Sequence, residues 1–258
     1  MLLKNFLHQL LNIKQEVFFN KEQRELYLRQ ADELSEELRS LNNYPGEAQI
    51  ISLGQNCNSA WYLKQVKLKK ASYPFDWIFS SPQIIIDCID DQFYKFLNRE
   101  HIFSTNKGKS SGHKLYHNSL FNHRNALAED NFLYYKRCTK RFLSILNSQK
   151  PIVFIMTVIS EPDKRRSWSS GFNDIFEVPT DQRIQNMFPL IKKIRKINKN
   201  AQFLFVEQYT DCQPDIKLVY NNDGISWVVF KSIHSNNGVK YKNYVDNNVA
   251  KKLYSTFL

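Results

Sequence analysis

The sequence has few of the residues that mark several common protein classes. It contains four cysteines among 258 residues, Cys57, Cys88, Cys138 and Cys212, and none of them forms a C-x-x-C pair. This pattern excludes a disulfide scaffold and the usual zinc spacings, so we expect a cytoplasmic protein without a metal site. Long hydrophobic runs are also missing. The apolar start of the chain contains lysine and histidine and is too short to cross a bilayer, so we expect no membrane span and no secretory leader.

Acidic residues are also in the minority, and the formal net charge is +11. A basic excess attracts nucleic acid, anionic lipid or anionic small molecules. The lysines and arginines are scattered in small clusters, however, and no recognition helix, zinc finger or RNA-binding signature accompanies them. We interpret most of the charge as a solvated surface, which argues against nucleic acid as a partner and suits an anionic small-molecule or glycan substrate.

Turn-forming residues near position 44 divide the chain into two parts. Residues 1–44 have helical spacing and are expected to form an N-terminal helical appendage, which packs on the main domain, a protein partner or a second copy. Residues 45–258 alternate strands with helices, as in a three-layer α/β domain with a mainly parallel central sheet. Residues 104–125 are expected to form a loop in which His113 and His117 are exposed. The expected strands are residues 48–53, 151–159, 202–208 and 226–231.

The most informative segment follows the first expected strand and reads Gly54-Gln55-Asn56-Cys57. A helical pattern begins directly after it, so Cys57 is expected at a helix N-terminus, where backbone amides and the helix dipole stabilise a thiolate. Ligands of α/β sheets bind beyond the carboxyl ends of the strands, and His234 follows the last expected strand. Cys57 and His234 would then meet at one rim as nucleophile and base, with Asn56 donating to an oxyanion.

The string SLGQNCNSAWYLKQVKLKKASYPFDWIFSS resembles the opening motif of the putative papain-like cysteine peptidase family, once catalogued only as a domain of unknown function. The similarity continues through Leu120-Phe121-Asn122-His123 and a basic helix, and covers roughly residues 49–158. It implies Cys57 as the nucleophile, His123 as its partner, and a setting linked to bacterial surface polysaccharide genes. The family's strand after the basic helix tends to end in an arginine, whereas this chain has Met156-Thr157.

Two looser resemblances keep alternatives open. The chain is also similar to capsule-biosynthesis proteins of an acyltransferase type and, more distantly, to SGNH hydrolases, whose base comes from a late Asp-x-x-His. Here Lys231-Ser232-Ile233-His234 lacks that aspartate, so an orienting carboxylate would come from elsewhere. His123 and His234 therefore both remain candidate bases. Asp76, in Pro-Phe-Asp-Trp, either orients a histidine or holds the loop that walls the pocket.

We therefore expect a cysteine-dependent acyl-transfer or hydrolytic enzyme. Acyl-coenzyme A is the candidate donor substrate and an anionic glycan the candidate acceptor. The alternative is a non-catalytic binding or assembly protein for an anionic glycan or nucleotide, or a protein associated with a glycosyltransferase. The candidate catalytic residues are Cys57, His123, His234 and Asp76. The candidate oxyanion and substrate-binding residues are Gly54, Asn56, Arg137 and Arg141. For the two arginines, a solvated helix face is the preferred interpretation over a position near an anionic donor.

Overall fold

The computed structural model describes residues 20–161, 170–179 and 182–258. The first nineteen residues of the expected appendage lie outside these ranges. Seven α-helices and eight strands are present within them. In chain order they are α1 (Lys21–Asn42), β1 (Gln49–Gly54), α2 (Asn58–Gln65), α3 (Pro82–Asp90), α4 (Tyr94–Leu97), β2 (Ile102–Thr105), β3 (Ser110–His113), β4 (His117–Phe121), α5 (Glu129–Leu146), β5 (Ile152–Ile159), α6 (Ile184–Ile197), β6 (Ala201–Tyr209), β7 (Asp215–Asn222), β8 (Ile225–Lys231) and α7 (Tyr244–Tyr254).

The central sheet has five strands in the order β1-β5-β6-β8-β7. The first four are parallel, and β7 is antiparallel to β8. This confirms the expected α/β class with a mainly parallel sheet. The apolar run of β5 is buried at every residue because helices cover both of its faces. The strand β7 was not among the expected strands. It lies at the edge of the sheet, and its residues are mostly polar or partly exposed, so it lacks a continuous apolar pattern.

Helices cover the two faces of the sheet and complete three layers. Alternate residues of β5 enter different cores: Phe154 packs with α3, α5 and α6, whereas Ile155 packs with α1, α2 and α7. Helix α1 begins with an Asn20–Gln23 capping box. It is anchored by Tyr27, whose hydroxyl donates to the carbonyl oxygen of Lys231 at 2.8 Å. No helix within the described ranges is long and apolar enough to span a bilayer.

Residues 102–121 form a second, three-stranded antiparallel sheet, β2-β3-β4, so the expectation of a loop over residues 104–125 is wrong. His113 and His117 pair across β3 and β4 and are 1% and 2% exposed, which also corrects their expected exposure. Burial lowers the pKa of His113 to about 4. Its Nε2 lies 3.0 Å from the carbonyl oxygen of Lys95. The strands of this sheet pack so closely that only small side chains fit: a Cβ on Gly112 would lie 2.2 Å from the backbone oxygen of Asn118. Glycine and serine are also typical of loops, which is why the sequence suggested a loop here.

Candidate active site

A strained turn places Cys57 at the carboxyl end of β1. Gly54 has φ +87°, and a Cβ there would lie 2.3 Å from the hydroxyl of Ser80. That hydroxyl donates to the carbonyl oxygen of Leu53 at 2.6 Å, so the space beside Gly54 is occupied. Gln55 follows with φ +22°, and Cys57 then caps α2. Glycine is therefore required at position 54 for both its conformation and its lack of a side chain.

The structure brings Cys57 and His123 together. The Sγ of Cys57 lies 3.1 Å from the Nε2 of His123, within hydrogen-bond distance for a sulfur atom. His123 follows β4, so the small sheet carries the histidine to the rim of the large one. The indole ring of Trp77 lies edge-on to the imidazole, with 6.4 Å between ring centroids. No described residue hydrogen-bonds the Nδ1 of His123, and the pair is therefore a dyad within the described chain.

A cleft of about 250 Å³ opens beside the dyad at the carboxyl edge of the central sheet. Phe79, Asn122 and Ile159 contribute to its walls. Glu161, after β5, and Gln208, near the end of β6, contribute polar groups, and residues 236–239 of the loop after β8 close the far side. The lining contains no lysine or arginine among the described residues. The expected anionic substrate thus finds no described cation in this cleft.

The dyad consists of two neutral groups at neutral pH. Burial, together with the negative charge of Asp76, raises the pKa of Cys57 to about 12. Burial and the nearby Arg124 guanidinium lower the pKa of His123. Cys57 does precede a helix, as expected, but α2 is only eight residues long and the thiol is 7% exposed, so burial opposes the helix N-terminus in its effect on the pKa of the thiol. The imidazole remains available to accept a proton.

Asn56 and Cys57 both line the cleft and carry N–H donors that have no hydrogen-bond partner among the described residues. The Oδ1 of Asn56 accepts from the backbone amide of Asn58 at 3.0 Å, which leaves the Asn56 side-chain NH₂ to donate in the cleft. The backbone amide of Cys57 donates to no other group in the described part of the chain. Paired donors of this kind can stabilise a negatively charged oxygen that forms on a carbon attached to the sulfur.

A chain of carboxamides joins α2 to the far wall of the cleft. Gln208 Nε2 donates to Asn58 Oδ1 at 2.8 Å, and Asn236 Nδ2 donates to Gln208 Oε1 at 2.9 Å. Asn58 Nδ2 in turn donates to the carbonyl oxygen of Val239 at 3.1 Å. Asn58 and Asn122 were not among the predicted site residues. Their positions next to Cys57 and His123 in the quoted motifs are the only feature of the sequence that could have indicated a role in the site.

His234 has a different position from the one expected. It is not part of the described cleft lining, and its Nδ1 lies 3.0 Å from Asn243 Nδ2 and 4.0 Å from Asp246 Oδ2. Asp246 also accepts hydrogen bonds from the backbone amides of Ile233 and His234, both at 3.0 Å. The carboxylate missing before His234 in the sequence therefore comes from α7. This pair holds the loop after β8, while His123 contacts the sulfur.

Asp76 and Arg141 hold the loop before α3. The Oδ2 of Asp76 accepts from the backbone amide of Tyr73 at 2.7 Å and pairs with Lys69, while Oδ1 has no partner among the described residues. Arg141 donates to the carbonyl oxygen of Ser72 at 2.5 Å. Of the two roles considered for Asp76, this geometry is that of the loop anchor. Arg137 is exposed on α5 and, like Arg141, is absent from the described cleft lining.

Comparison with known families agrees with this geometry. Residues 48–167 match the model of the putative papain-like cysteine peptidase family. The resemblance drawn from the sequence motif is thereby confirmed over this segment, while the looser similarities to capsule-biosynthesis proteins and SGNH hydrolases are not. No curated protein and no solved structure matches the chain.

The matched segment, residues 48–167, contains both members of the dyad but only part of the cleft. Cys57 and His123 lie inside it, as do Asn56 and Glu161. Gln208 and the 236–239 loop lie outside it, in the C-terminal part of the α/β domain. The reactive groups and one wall of the cleft thus come from different parts of the chain.

Proposed function

We propose that this protein is a cysteine-dependent hydrolase or acyltransferase, in which Cys57 is the nucleophile and His123 the general base. The observation that supports this most directly is the 3.1 Å contact between Sγ and Nε2 at the mouth of a cleft. A nucleophile and a base within hydrogen-bond reach are the minimal machinery of covalent acyl transfer.

The reaction begins from the neutral pair. His123 Nε2 takes the thiol proton as the sulfur attacks the carbonyl carbon of an ester or amide, and the carbonyl electron pair moves to oxygen. The backbone amide of Cys57 and the side-chain NH₂ of Asn56 donate to this oxyanion. When the tetrahedral intermediate collapses, the imidazolium returns its proton to the leaving group and a thioester remains on Cys57.

The fate of the thioester decides between hydrolysis and transfer. His123 deprotonates water or an acceptor hydroxyl, which attacks the thioester and regenerates the thiol. If the protein acts in bacterial surface polysaccharide synthesis, as the family resemblance implies, a glycan hydroxyl is the acceptor. The described lining offers carboxamides and the Glu161 carboxylate as hydrogen-bonding groups for the acyl donor, for which acyl-coenzyme A remains the candidate.

One observation favours a second candidate function. A thiol with a pKa near 12 is unreactive unless a base assists it, and a buried, unreactive cysteine would suit a binding protein that uses the same cleft. The two functions differ in whether His123 activates the sulfur.

The test is the rate of Cys57 alkylation by iodoacetamide, followed by mass spectrometry of the peptide that contains Cys57. We expect His123→Ala to slow this reaction by a factor of about 10 to 100 at neutral pH, because general-base assistance is lost. His234→Ala is the matched control and should leave the rate unchanged. Cys88 and Cys138, both buried, serve as internal references. Equal rates in the wild type and His123→Ala would support the binding protein.

A further inference from the structure

A closed ring of hydrogen bonds joins Gln55, in the nucleophile turn, to Gln182 and to Ile159, which also lines the cleft. The backbone N–H of Ile159 donates to Gln55 Oε1 at 2.9 Å. Gln55 Nε2 donates to Gln182 Oε1, and Gln182 Nε2 donates back to the carbonyl oxygen of Ile159. Because the backbone of Ile159 supplies one donor and one acceptor, it fixes the orientation of both side-chain amides. The side chains of Gln55 and Gln182 are 0% and 3% exposed.

The ring replaces a missing strand. β1 pairs with β5 only as far as Gly54 and Met156, whereas β5 continues to Ile159. Beyond Met156, no described strand pairs with the edge of β5 that faces β1, and buried backbone groups need partners. Gln55 and Gln182 supply those partners at Ile159. The two amide side chains therefore take the place of a paired strand at Ile159. At this point the chain has already left β1 to form the turn that leads to Cys57.

The backbone of Gln55 depends on this contact. Its φ of +22° lies in the left-handed region that a residue with a Cβ rarely occupies, so other contacts must hold it there. Those contacts are the hydrogen bonds of its side chain to Ile159 and Gln182. Gln55 is two residues before Cys57, so rotation of its backbone moves the sulfur relative to His123, which follows β4 in a different part of the chain.

We propose that Gln182 is a positioning residue for Cys57: it locks Gln55 in its strained conformation and thereby keeps Sγ within reach of His123 Nε2. This inference rests on the proposed function, because positioning matters only if His123 activates the sulfur. Gln182 is 127 positions from Gln55 and lies outside the matched segment, directly before α6. The geometry of the nucleophile would thus depend on a residue that the family motif does not contain.

The experiment is a double-mutant cycle on the rate of Cys57 alkylation by iodoacetamide, in the full-length protein. Gln182→Met keeps the length of the side chain and removes its hydrogen bonds, and Gln185→Met makes the same change at an exposed neighbouring position. We expect Gln182→Met to slow alkylation about tenfold, because a misplaced nucleophile loses its base. Gln185→Met should have no effect. In the His123→Ala background, Gln182→Met should have little further effect, because the assistance it disturbs is already absent.

The outcomes separate this inference from the proposed function. If His123→Ala does not slow alkylation, the proposed function fails and the positioning role fails with it. If His123→Ala slows the reaction but Gln182→Met behaves like Gln185→Met, the positioning role alone is overturned. An equal effect of Gln182→Met in both backgrounds would also overturn it, because a general loss of structure would then explain the result.

Gln182→Glu covers the case in which the methionine variant does not fold. A protonated glutamate can accept from Gln55 and donate to the carbonyl oxygen of Ile159, whereas a carboxylate cannot donate. The alkylation rate of Gln182→Glu, divided by that of the wild type, should therefore be near one at acidic pH and fall as the pH rises. A ratio that does not change with pH would overturn the positioning role.

Discussion

The protonation state of Cys57 in the resting protein is the sharpest prediction of the structure. Burial raises its pKa from an ordinary value of 9.0 to about 12. Three pKa units correspond to about 4 kcal/mol against the thiolate, and at pH 8 they reduce the thiolate fraction about a thousandfold relative to an ordinary thiol. His123 has its pKa lowered below 6.5, so the two pKa values are separated by at least about five units. Proton transfer from sulfur to imidazole is therefore unfavourable before substrate binds.

The assay is the ultraviolet absorbance of the thiolate, measured as the difference between the wild type and Cys57→Ser from neutral pH to about pH 10. We expect no titration step from Cys57 in that range, and no change in the difference spectrum when His123 is replaced by alanine. Alkylation should nevertheless depend on His123, because a base can act during attack without ionising the thiol beforehand. A step centred below about pH 8.5 that moves upward in His123→Ala would show a thiolate–imidazolium pair and refute the reasoning.

Three further predictions concern the groups around the dyad. Asp76→Asn should lower the pKa of Cys57, because the buried carboxylate contributes to raising it; in the His123→Ala background, alkylation of Cys57 at about pH 10 should then be faster with Asp76→Asn than without it, and an equal or slower rate would contradict this. Gly54→Ala should lower the free energy of unfolding in urea by about 3 kcal/mol or more, because the alanine would be strained at φ +87° and its Cβ would lie 2.3 Å from the Ser80 hydroxyl. Gly46→Ala, with no atom within 4 Å of the added Cβ, should lower it much less. Burial lowers the pKa of His113 from 6.5 to about 4, so between these pH values the unfolded state binds a proton that the folded state does not. As the pH falls from 6.5 to 4, the free energy of unfolding, measured with urea, should therefore decrease by about 3 kcal/mol more in the wild type than in His113→Gln.

The sequence predicted the parts of the fold that depend on apolar pattern. β5 was read correctly because helices cover both faces of a central parallel strand, which leaves a continuous hydrophobic run. The three-stranded sheet β2-β3-β4 could not be predicted from an apolar pattern. Its buried positions include Ser110, Ser111 and Gly112, so burial there reflects close backbone packing and not side-chain hydrophobicity. Residues of this kind are indistinguishable from loop residues in the sequence alone.

The candidate site was predictable in part. Cys57 was predicted from its position between the first expected strand and a helix, and His123 from the family resemblance; the structure places the Sγ and Nε2 atoms 3.1 Å apart. Strand-end placement alone suggested His234, which lies after a strand of the central sheet as expected but is held by Asn243 beside Asp246. The rule that strand ends converge gives the edge of the sheet where a site lies; it does not specify which side chains at that edge point toward one another.

The helix N-terminus and burial have opposite effects on the pKa of Cys57. A helix N-terminus favours a negative charge, but its effect is usually below about 1 kcal/mol at exposed sites, whereas burial of a charged group can shift a pKa by several units. The sequence shows that Cys57 precedes a helix, but it does not show that Asp76 is buried nearby or that the thiol is 7% exposed. The larger of two opposing effects was therefore invisible in the sequence. This is why His123, and not the helix, carries the activation of the sulfur in the proposed reaction.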